Sequence, residues 1–227
     1  MKKITILILF IASTIVSQTN TEVFLFDIKK TETGYELSNK KNISTNEGYD
    51  SQPHFYDNYA LLFASSRNGQ TDIVKYTIDT GIKEFINYSP EGGEYSPQRI
   101  PGTDDISAVR LDNTGLQRFY KYDINTGNSK EIIRNLEVAY PLWASNKLLF
   151  SAVIGEKSLE LVKSDLKNKT NVLLEKNIGR SLHCIPGTNS ISFISKKKPL
   201  WEIFSIDITT LTINKTTNLD DNYEKYT

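Results

Sequence analysis

The chain has 227 residues, and its 27 lysines and arginines balance its 27 aspartates and glutamates. This balance excludes a strong electrostatic attraction to nucleic acid or to anionic lipid. The sequence contains one cysteine, Cys184, which excludes an internal disulfide, and its length is sufficient for one sizeable domain.

Residues 1–17 have the three parts of a secretory signal peptide. A basic start, Met1-Lys2-Lys3, precedes an apolar run over residues 4–16, and small Ser17 is followed by polar residues. An N-terminal membrane anchor is the alternative, but the run of about 13 residues is shorter than the roughly 20 that span a bilayer. No cysteine follows the run, which argues against a lipoprotein. We expect cleavage after Ser17 and a periplasmic or secreted protein without membrane insertion.

The next predicted elements are two strands, residues 22–28 (EVFLFDI) and 35–38, followed by a more regular pattern from residue 49. In that pattern Asn68-Gly69 is a strong hairpin signal because both positions tolerate a positive φ. Around this turn the sequence predicts four short strands joined by turns, at residues 51–56, 59–64, 72–78 and 82–86. Four antiparallel strands of this kind form one sheet.

The third-strand segment of this unit recurs along the chain. DIVKYTIDTG, which ends at Gly81, returns as RFYKYDINTG, which ends at Gly127, and weaker copies occupy residues 160–169 and 202–211. First-strand anchors recur at spacings of 45, 43 and 42 residues, at Phe55, Ile100, Trp143 and Ile185. A period of about 40–45 residues is typical of four-stranded propeller blades.

The repeat therefore predicts an all-β fold, a β-propeller of four-stranded antiparallel blades. Four full blades start near Tyr49, Tyr95, Tyr140 and Ser181, and the strand pair before them is an N-terminal half-blade. Residues 222–227 resemble the lead-in to a further first strand. We expect the ring to be incomplete in this chain and residues 18–227 to be a C-terminally truncated propeller domain. The alternative is that another chain pairs with the open edges.

The first unit resembles the TolB-like, WD40-like propeller repeat of exported bacterial proteins. The matching residues are Ser51-Gln52-Pro53-His54-Phe55, Ser66-Arg67-Asn68-Gly69, Thr71-Asp72-Ile73 and Asp79-Thr80-Gly81. Later units keep less of the pattern: Asn125-Thr126-Gly127 survives in the second, and Arg67 has no clear equivalent in the third and fourth. The resemblance implies an exported propeller of the kind found in protein-interaction components and in non-catalytic domains of some peptidases.

Catalytic and metal motifs are weak. The sequence has no Gly-x-Ser-x-Gly nucleophile elbow. Its two histidines, His54 and His183, could face one channel, but no ligand spacing supports a metal site, so we expect neither a metal nor another cofactor. Asp220-Asp221 is an oxygen-rich turn that lacks the EF-hand spacing of a calcium loop.

A binding face is the remaining functional feature. Loops that enter first strands and turns between second and third strands emerge at the same end of a propeller, and aromatic residues with arginine are enriched at binding hot spots. The predicted binding residues at this end are Tyr49, Gln52, Arg67, Tyr95, Gln98, Tyr140, Arg180 and His183. The alternative is that the aromatic residues, Trp143 above all, are packing anchors of the repeat.

The sequence thus predicts a non-catalytic, exported propeller that binds a protein or an envelope polymer. One alternative is the N-terminal propeller portion of a prolyl-oligopeptidase-like hydrolase, whose catalytic domain would follow Thr227. Another is a carbohydrate-binding propeller that uses Trp143 or Tyr95.

Overall fold

The computed structural model describes residues 20–89 and 92–218, and the regular elements in these ranges are β-strands. The predicted signal peptide, residues 1–17, and the acidic turn Asp220-Asp221 lie outside the described residues. Among the residues that are described, no helix has the length and apolar character needed to cross a bilayer.

The strands form four antiparallel sheets of four strands and one sheet of two. The two-stranded N-terminal sheet consists of β1 (Phe24–Lys30) and β2 (Tyr35–Asn42). Blade 1 contains β3 (Asp50–Phe55), β4 (Ala60–Arg67), β5 (Gln70–Thr77) and β6 (Lys83–Phe85). Blade 2 contains β7 (Gly92–Arg99), β8 (Ile106–Asp112), β9 (Gln117–Tyr122) and β10 (Ser129–Ile133).

Blade 3 contains β11 (Val138–Ser145), β12 (Leu148–Ile154), β13 (Leu159–Asp165) and β14 (Thr170–Lys176). Blade 4 contains β15 (Ile178–Cys184), β16 (Ser190–Ser195), β17 (Glu202–Asp207) and β18 (Ile213–Asn218). In each blade the strands pair in sequence order, from the first strand to the fourth. The prediction of an all-β propeller with four full blades and an N-terminal half-blade is confirmed.

The turn residues act as the sequence predicts. Asn68 and Gly69, with φ angles of 53° and 79°, connect β4 to β5 between the paired residues Arg67 and Gln70. A different turn joins the third strand of a blade to the fourth. There the carboxylate of an aspartate accepts hydrogen bonds from two backbone N–H groups of the turn, which lowers the aspartate's pKa; the three residues are Asp123, Asp165 and Asp207.

The first strands carry a feature that the predicted anchors missed. Pro53, Pro97 and Pro141 lie on the first strands of blades 1 to 3 at a constant spacing of 44 residues. In blades 1 and 2 this proline lies within a β-bulge. Phe55 is consequently one position out of register with Ile100, and its side chain is 58% exposed whereas that of Ile100 is 5% exposed.

The apolar core lies between neighbouring sheets. Both faces of the central strands carry apolar residues, so each blade packs against the blade before it and the blade after it. Four buried clusters fill these interfaces, with principal residues Val23, Ile43 and Phe63 between the N-terminal sheet and blade 1; Leu62, Ile73 and Ile106 between blades 1 and 2; Phe119, Trp143 and Leu149 between blades 2 and 3; and Phe150, Leu161 and Phe193 between blades 3 and 4. This arrangement brings the four first strands around one central space.

Candidate functional site

The first strands of all four blades line a cavity of about 480 Å³, here named the channel cavity. Its wall consists of residues 52–54 of β3, 96–99 of β7, 140–143 of β11 and 180–184 of β15, together with Pro101. Of the eight predicted binding residues, five line this cavity: Gln52, Gln98, Tyr140, Arg180 and His183.

The two glutamines in this group connect neighbouring blades. The side-chain carbonyl of Gln52 accepts a hydrogen bond from the backbone N–H of Ser96 at 2.7 Å. The side-chain amide of Gln98 donates to the backbone carbonyl of Pro141, also at 2.7 Å. These bonds cross from blade 1 to blade 2 and from blade 2 to blade 3. Gln52 and Gln98 therefore use at least part of their hydrogen-bonding capacity to hold the wall together.

Tyr140, Arg180 and His183 are more available to a ligand. The Arg180 guanidinium lies 5.9 Å from the centre of the Tyr140 ring, a distance that allows a cation–π contact. Arg180 and His183 are exposed, and Tyr140 is half-buried. His54 lies on the part of the wall that β3 forms, where burial lowers the pKa of its imidazole and keeps the ring neutral at neutral pH.

The cavity wall has a positive bias. It includes two arginines, and none of its lining residues is an aspartate or glutamate. Arg99 is already engaged, because it donates to the Thr103 carbonyl at 2.7 Å and pairs with Asp104 at 2.8 Å. Within the described part of the chain Arg180 forms no ion pair. A cation without a counter-ion inside a concave site favours an anionic ligand group.

The other three predicted residues lie away from the channel cavity. Tyr49 and Tyr95 pack edge to face, with ring centres 6.0 Å apart. Arg67 pairs with the buried carboxylate of Asp72 at 3.0 Å and covers the ring of Phe85 at 3.8 Å. The structure thus does not bring these three side chains together with the five in the channel.

Trp143 is 7% exposed, and its indole N–H donates to the Ser107 hydroxyl at 2.8 Å. Its ring packs beside Phe119, with ring centres 5.9 Å apart. Trp143 also lines the channel cavity, but at this exposure most of its ring is covered by protein. Its contacts are those of a packing residue between blades 2 and 3.

A buried polar network between blades 1 and 2 was missed by the sequence reasoning. The Asn87 side-chain amide donates to Glu94 at 2.7 Å and lies 3.4 Å from an oxygen of Asp72, while the Tyr122 hydroxyl donates to Glu94 at 2.9 Å. Burial, with the nearby Asp72 carboxylate adding to it, raises the pKa of Glu94. The sequence shows these residues only as scattered polar positions, because the partners come from separate segments of the chain.

No protein-family model matches the chain, and no curated protein matches it in sequence. Solved structures do match in fold. TolB from Acinetobacter baumannii superposes with a TM-score of 0.68 at 14% identity, covering 87% of this chain and 52% of that chain. A puromycin-hydrolyzing peptidase from Mycobacterium tuberculosis gives 0.61 at 14% identity, over 80% of this chain and 31% of that one. An oligogalacturonate lyase in complex with manganese gives 0.59 at 12% identity, over 89% and 75%.

These identities are low, so the matches concern the fold alone. The chain spans about half the length of the TolB structure and about a third of the peptidase structure. The matched structures include a peptidase and a lyase, so the shared fold does not identify an activity. The chain is similar in fold to TolB and shares a β-propeller with a peptidase and a lyase.

Proposed function

We propose that this protein is an exported, non-catalytic propeller that binds an acidic segment of a partner protein in the channel cavity. The observation that carries the proposal is the composition of the cavity wall: Arg180 without an ion-pair partner in the described chain, His183 exposed beside it, and no lining carboxylate. An exposed charge pair contributes about 0.2–1 kcal/mol, so one carboxylate on Arg180 is a modest anchor that is strongest at low salt.

A protein ligand fits this wall better than an envelope polysaccharide does. Sugar rings generally stack on the open face of an aromatic side chain. Trp143 is buried, and the Arg180 guanidinium approaches one face of Tyr140. An extended peptide needs polar groups for its backbone and a cation for an acidic side chain, and His54, His183 and Arg180 supply these groups.

The serine hydroxyl groups in the cavity are also compatible with a binding role. Nucleophilic catalysis by serine needs a base within hydrogen-bond reach of the hydroxyl. Of the serines that line the cavity, neither Ser96 nor Ser181 is hydrogen-bonded to His54 or His183 within the described residues. This arrangement is compatible with the binding role that we propose for the cavity.

The propeller part of a longer hydrolase is the second candidate. Its support is the fold shared with the puromycin-hydrolyzing peptidase, of which this chain covers 31%. Sequencing the gene past the codon for Thr227 separates the two functions. A following α/β domain with a nucleophile elbow would make the chain part of an enzyme, whereas one or two further blades and a stop codon fit the binding module.

The binding test uses fluorescence anisotropy at low salt with fluorescein-labelled hexaglutamate, hexalysine and an oligogalacturonate. We expect hexaglutamate to bind, and Arg180→Ala to weaken binding at least about fivefold, which corresponds to roughly 1 kcal/mol. Arg134→Ala is the control, because Arg134 is 86% exposed and lies outside the channel cavity.

Three results would contradict the proposal. Failure of hexaglutamate to bind would show that the channel cavity is not a site for acidic peptides. An equal effect of the Arg180 and Arg134 variants would show the same. Binding of the oligogalacturonate in preference to hexaglutamate would assign the cavity to an acidic polymer of the envelope instead.

A further inference from the structure

The outer face of the N-terminal sheet is apolar and open to solvent. Phe24, Phe26 and Ile28 of β1 are 42%, 39% and 66% exposed. Leu25 packs into the cluster that joins this sheet to blade 1, so the alternation of a strand places those three side chains on the opposite face. Leu37 of β2 pairs directly with Ile28 and extends the same face. We name these four exposed side chains, Phe24, Phe26, Ile28 and Leu37, the open N-terminal face.

The repeat identifies the kind of surface that such a face packs against. β1 aligns with the third strand of blade 1, with Phe24 in the position of Val74. Phe26 then corresponds to Tyr76. Val74 and Tyr76 are buried, because they pack against the sheet that precedes blade 1. The corresponding residues that pack against the preceding blade are Tyr120 and Tyr122 in blade 2 and Phe204 and Ile206 in blade 4. The open N-terminal face therefore has the register of a surface that packs on a preceding sheet, and the described residues contain no such sheet.

Blade 4 carries the matching surface at the other end of the array. In the third strands of blades 1 to 3, one apolar residue faces the following blade and is fully buried; these residues are Ile73, Phe119 and Leu161. Ile203 has this position in blade 4, and it pairs with Ile194 of β16. Both isoleucines are only half-buried, since no sheet follows blade 4 in residues 20–89 and 92–218. We name Ile194 and Ile203, with the neighbouring pair Ser192 and Ser205, the terminal face of blade 4.

We infer that the open N-terminal face of one copy of this protein packs on the terminal face of blade 4 of a second copy. Each of these faces lacks the kind of neighbour that the other provides. The contact repeats the packing that joins consecutive sheets four times within the chain. None of those four apolar clusters connects blade 4 with the N-terminal sheet across the described part of the same chain, so both faces are available to another copy.

The area of the open N-terminal face sets the expected strength of the contact. Its four side chains expose on the order of 400 Å² of apolar surface, a size at which exposed patches are often functional. A standard interface buries about 800 Å² on each partner, so these side chains account for about half of that area. We therefore expect a weak, reversible association and not a permanent oligomer.

The contact joins two different faces, so it is heterologous. A heterologous contact leaves a free face at each end of a pair, and it adds further copies unless the rotation closes a ring. A two-fold contact between two open N-terminal faces is the alternative. The Lys40 ammonium lies 4.2 Å from the centre of the Phe24 ring. The two-fold contact is less favourable, because it brings two such ammonium groups into one interface.

The first measurement is the weight-average mass of the purified protein by analytical ultracentrifugation between about 1 and about 200 µM. We expect the mass to rise at least about 1.5-fold across this range, as mass action requires for a weak association. Phe26→Glu should abolish the rise, because a carboxylate is costly to bury between apolar faces. Ile154→Glu is the matched control, because Ile154 of blade 3 is 45% exposed and belongs to neither face.

A mixing experiment separates the head-to-tail contact from a two-fold contact. Ser205→Glu places a charge on the terminal face of blade 4 at a polar position, where a substitution disturbs folding least. The Phe26→Glu and Ser205→Glu proteins should each be monomeric alone. When mixed they should form a one-to-one pair, since each supplies the face that the other has lost. Ile203→Glu is a second variant of the same face and should behave as Ser205→Glu does.

The inference fails if the unaltered protein stays monomeric at the highest concentration, a result that does not depend on the folding of any variant. A monomeric product of a gene that continues past Thr227 would show that the same chain covers both faces. Association that Phe26→Glu retains would place the contact elsewhere. Association that Phe26→Glu abolishes and both blade 4 variants retain, without a pair in the mixture, would assign the open N-terminal face to the two-fold contact.

Discussion

The side-chain amide of Asn87 donates a hydrogen bond of 2.7 Å to the carboxylate of Glu94, across the junction between blades 1 and 2. Asn87 follows β6 of blade 1, and Glu94 belongs to β7 of blade 2. The Asn87 carbonyl also accepts from the backbone N–H of Ile73 at 2.9 Å. One short side chain thus satisfies a buried acid and a buried backbone group, and joins two blades.

The first prediction concerns this bridge. Asn87→Ala removes a donor from Glu94 and an acceptor from the Ile73 N–H, and leaves both groups buried. Unsatisfied buried groups cost about 1–3 kcal/mol each, so we expect a loss of roughly 2–4 kcal/mol in the free energy of unfolding. Urea denaturation measures it. Asn113→Ala, in the exposed turn between β8 and β9, should change stability by less than about 0.5 kcal/mol.

The second prediction concerns pH. Because burial raises the folded-state pKa of Glu94 above its ordinary value, the folded protein binds more protons at Glu94 than the unfolded chain does between the two pKa values. The contribution of Glu94 to stability is therefore largest at low pH and falls as the pH rises through that window. We expect the stability of Glu94→Gln, relative to the unaltered protein, to improve as the pH rises from about 4 to about 8.

The difference between the two proteins is the quantity to follow, since other groups titrate in the same range. Three aspartates have lowered pKa values, and their pH dependence has the opposite sign: the stability that they contribute disappears as acid protonates them. They are Asp123, Asp165 and Asp207. Their effect cancels in the comparison. A difference that is flat with pH would show that Glu94 keeps its ordinary pKa.

Much of the fold could be predicted from the sequence because its signals are local and repeated. The Asn68-Gly69 hairpin and the third-strand copies ending at Gly81 and Gly127 depend on residues that are neighbours in the chain. The register of the first strand was harder to predict. Phe55 is apolar and occurs at the expected period, yet the bulge beside Pro53 turns it to solvent. The proline spacing of 44 residues was the better signal.

The candidate site was predicted less completely, since its contacts join residues that are far apart in the chain. Gln52 and Gln98 do line the channel cavity, but their bonds to Ser96 and Pro141 depend on the docking of neighbouring blades. Arg67 matches the repeat motif, and it pairs with Asp72 of the same blade. Spacing alone does not distinguish an arginine that binds its own blade from one that is free for a ligand.

The third prediction tests the contact between blade 1 and the β9–β10 turn of blade 2. Gly127 has a φ of 71°, and a Cβ added there would lie 2.5 Å from the Ile86 carbonyl oxygen. Gly102 has nearly the same φ, 72°, with nothing within 4 Å of an added Cβ. Gly102→Ala should therefore show the backbone strain alone, about 1–2 kcal/mol. Gly127→Ala should cost roughly 1–3 kcal/mol more, because backbone atoms must move. If urea denaturation showed equal losses of unfolding free energy for the two variants, the backbone of the β9–β10 turn would be able to move away from Ile86 without a measurable cost.

The last prediction separates the channel residues that hold the wall from those available to a ligand. Gln98→Ala breaks the bond to the Pro141 carbonyl and should lower the free energy of unfolding by about 1 kcal/mol. Gln52→Ala should act similarly, because it leaves the Ser96 N–H without its acceptor. Arg180→Ala and His183→Ala should leave the urea midpoint unchanged, since both side chains are exposed.

Binding of hexaglutamate should show the opposite order, with Arg180→Ala weakening it most. The two measurements together exclude unfolding as the cause of weaker binding. A variant that is fully stable but binds poorly has lost a contact with the ligand. If Arg180→Ala lowered stability as much as Gln98→Ala does, the cation–π contact with Tyr140 would be structural, and Arg180 would join the glutamines as part of the wall.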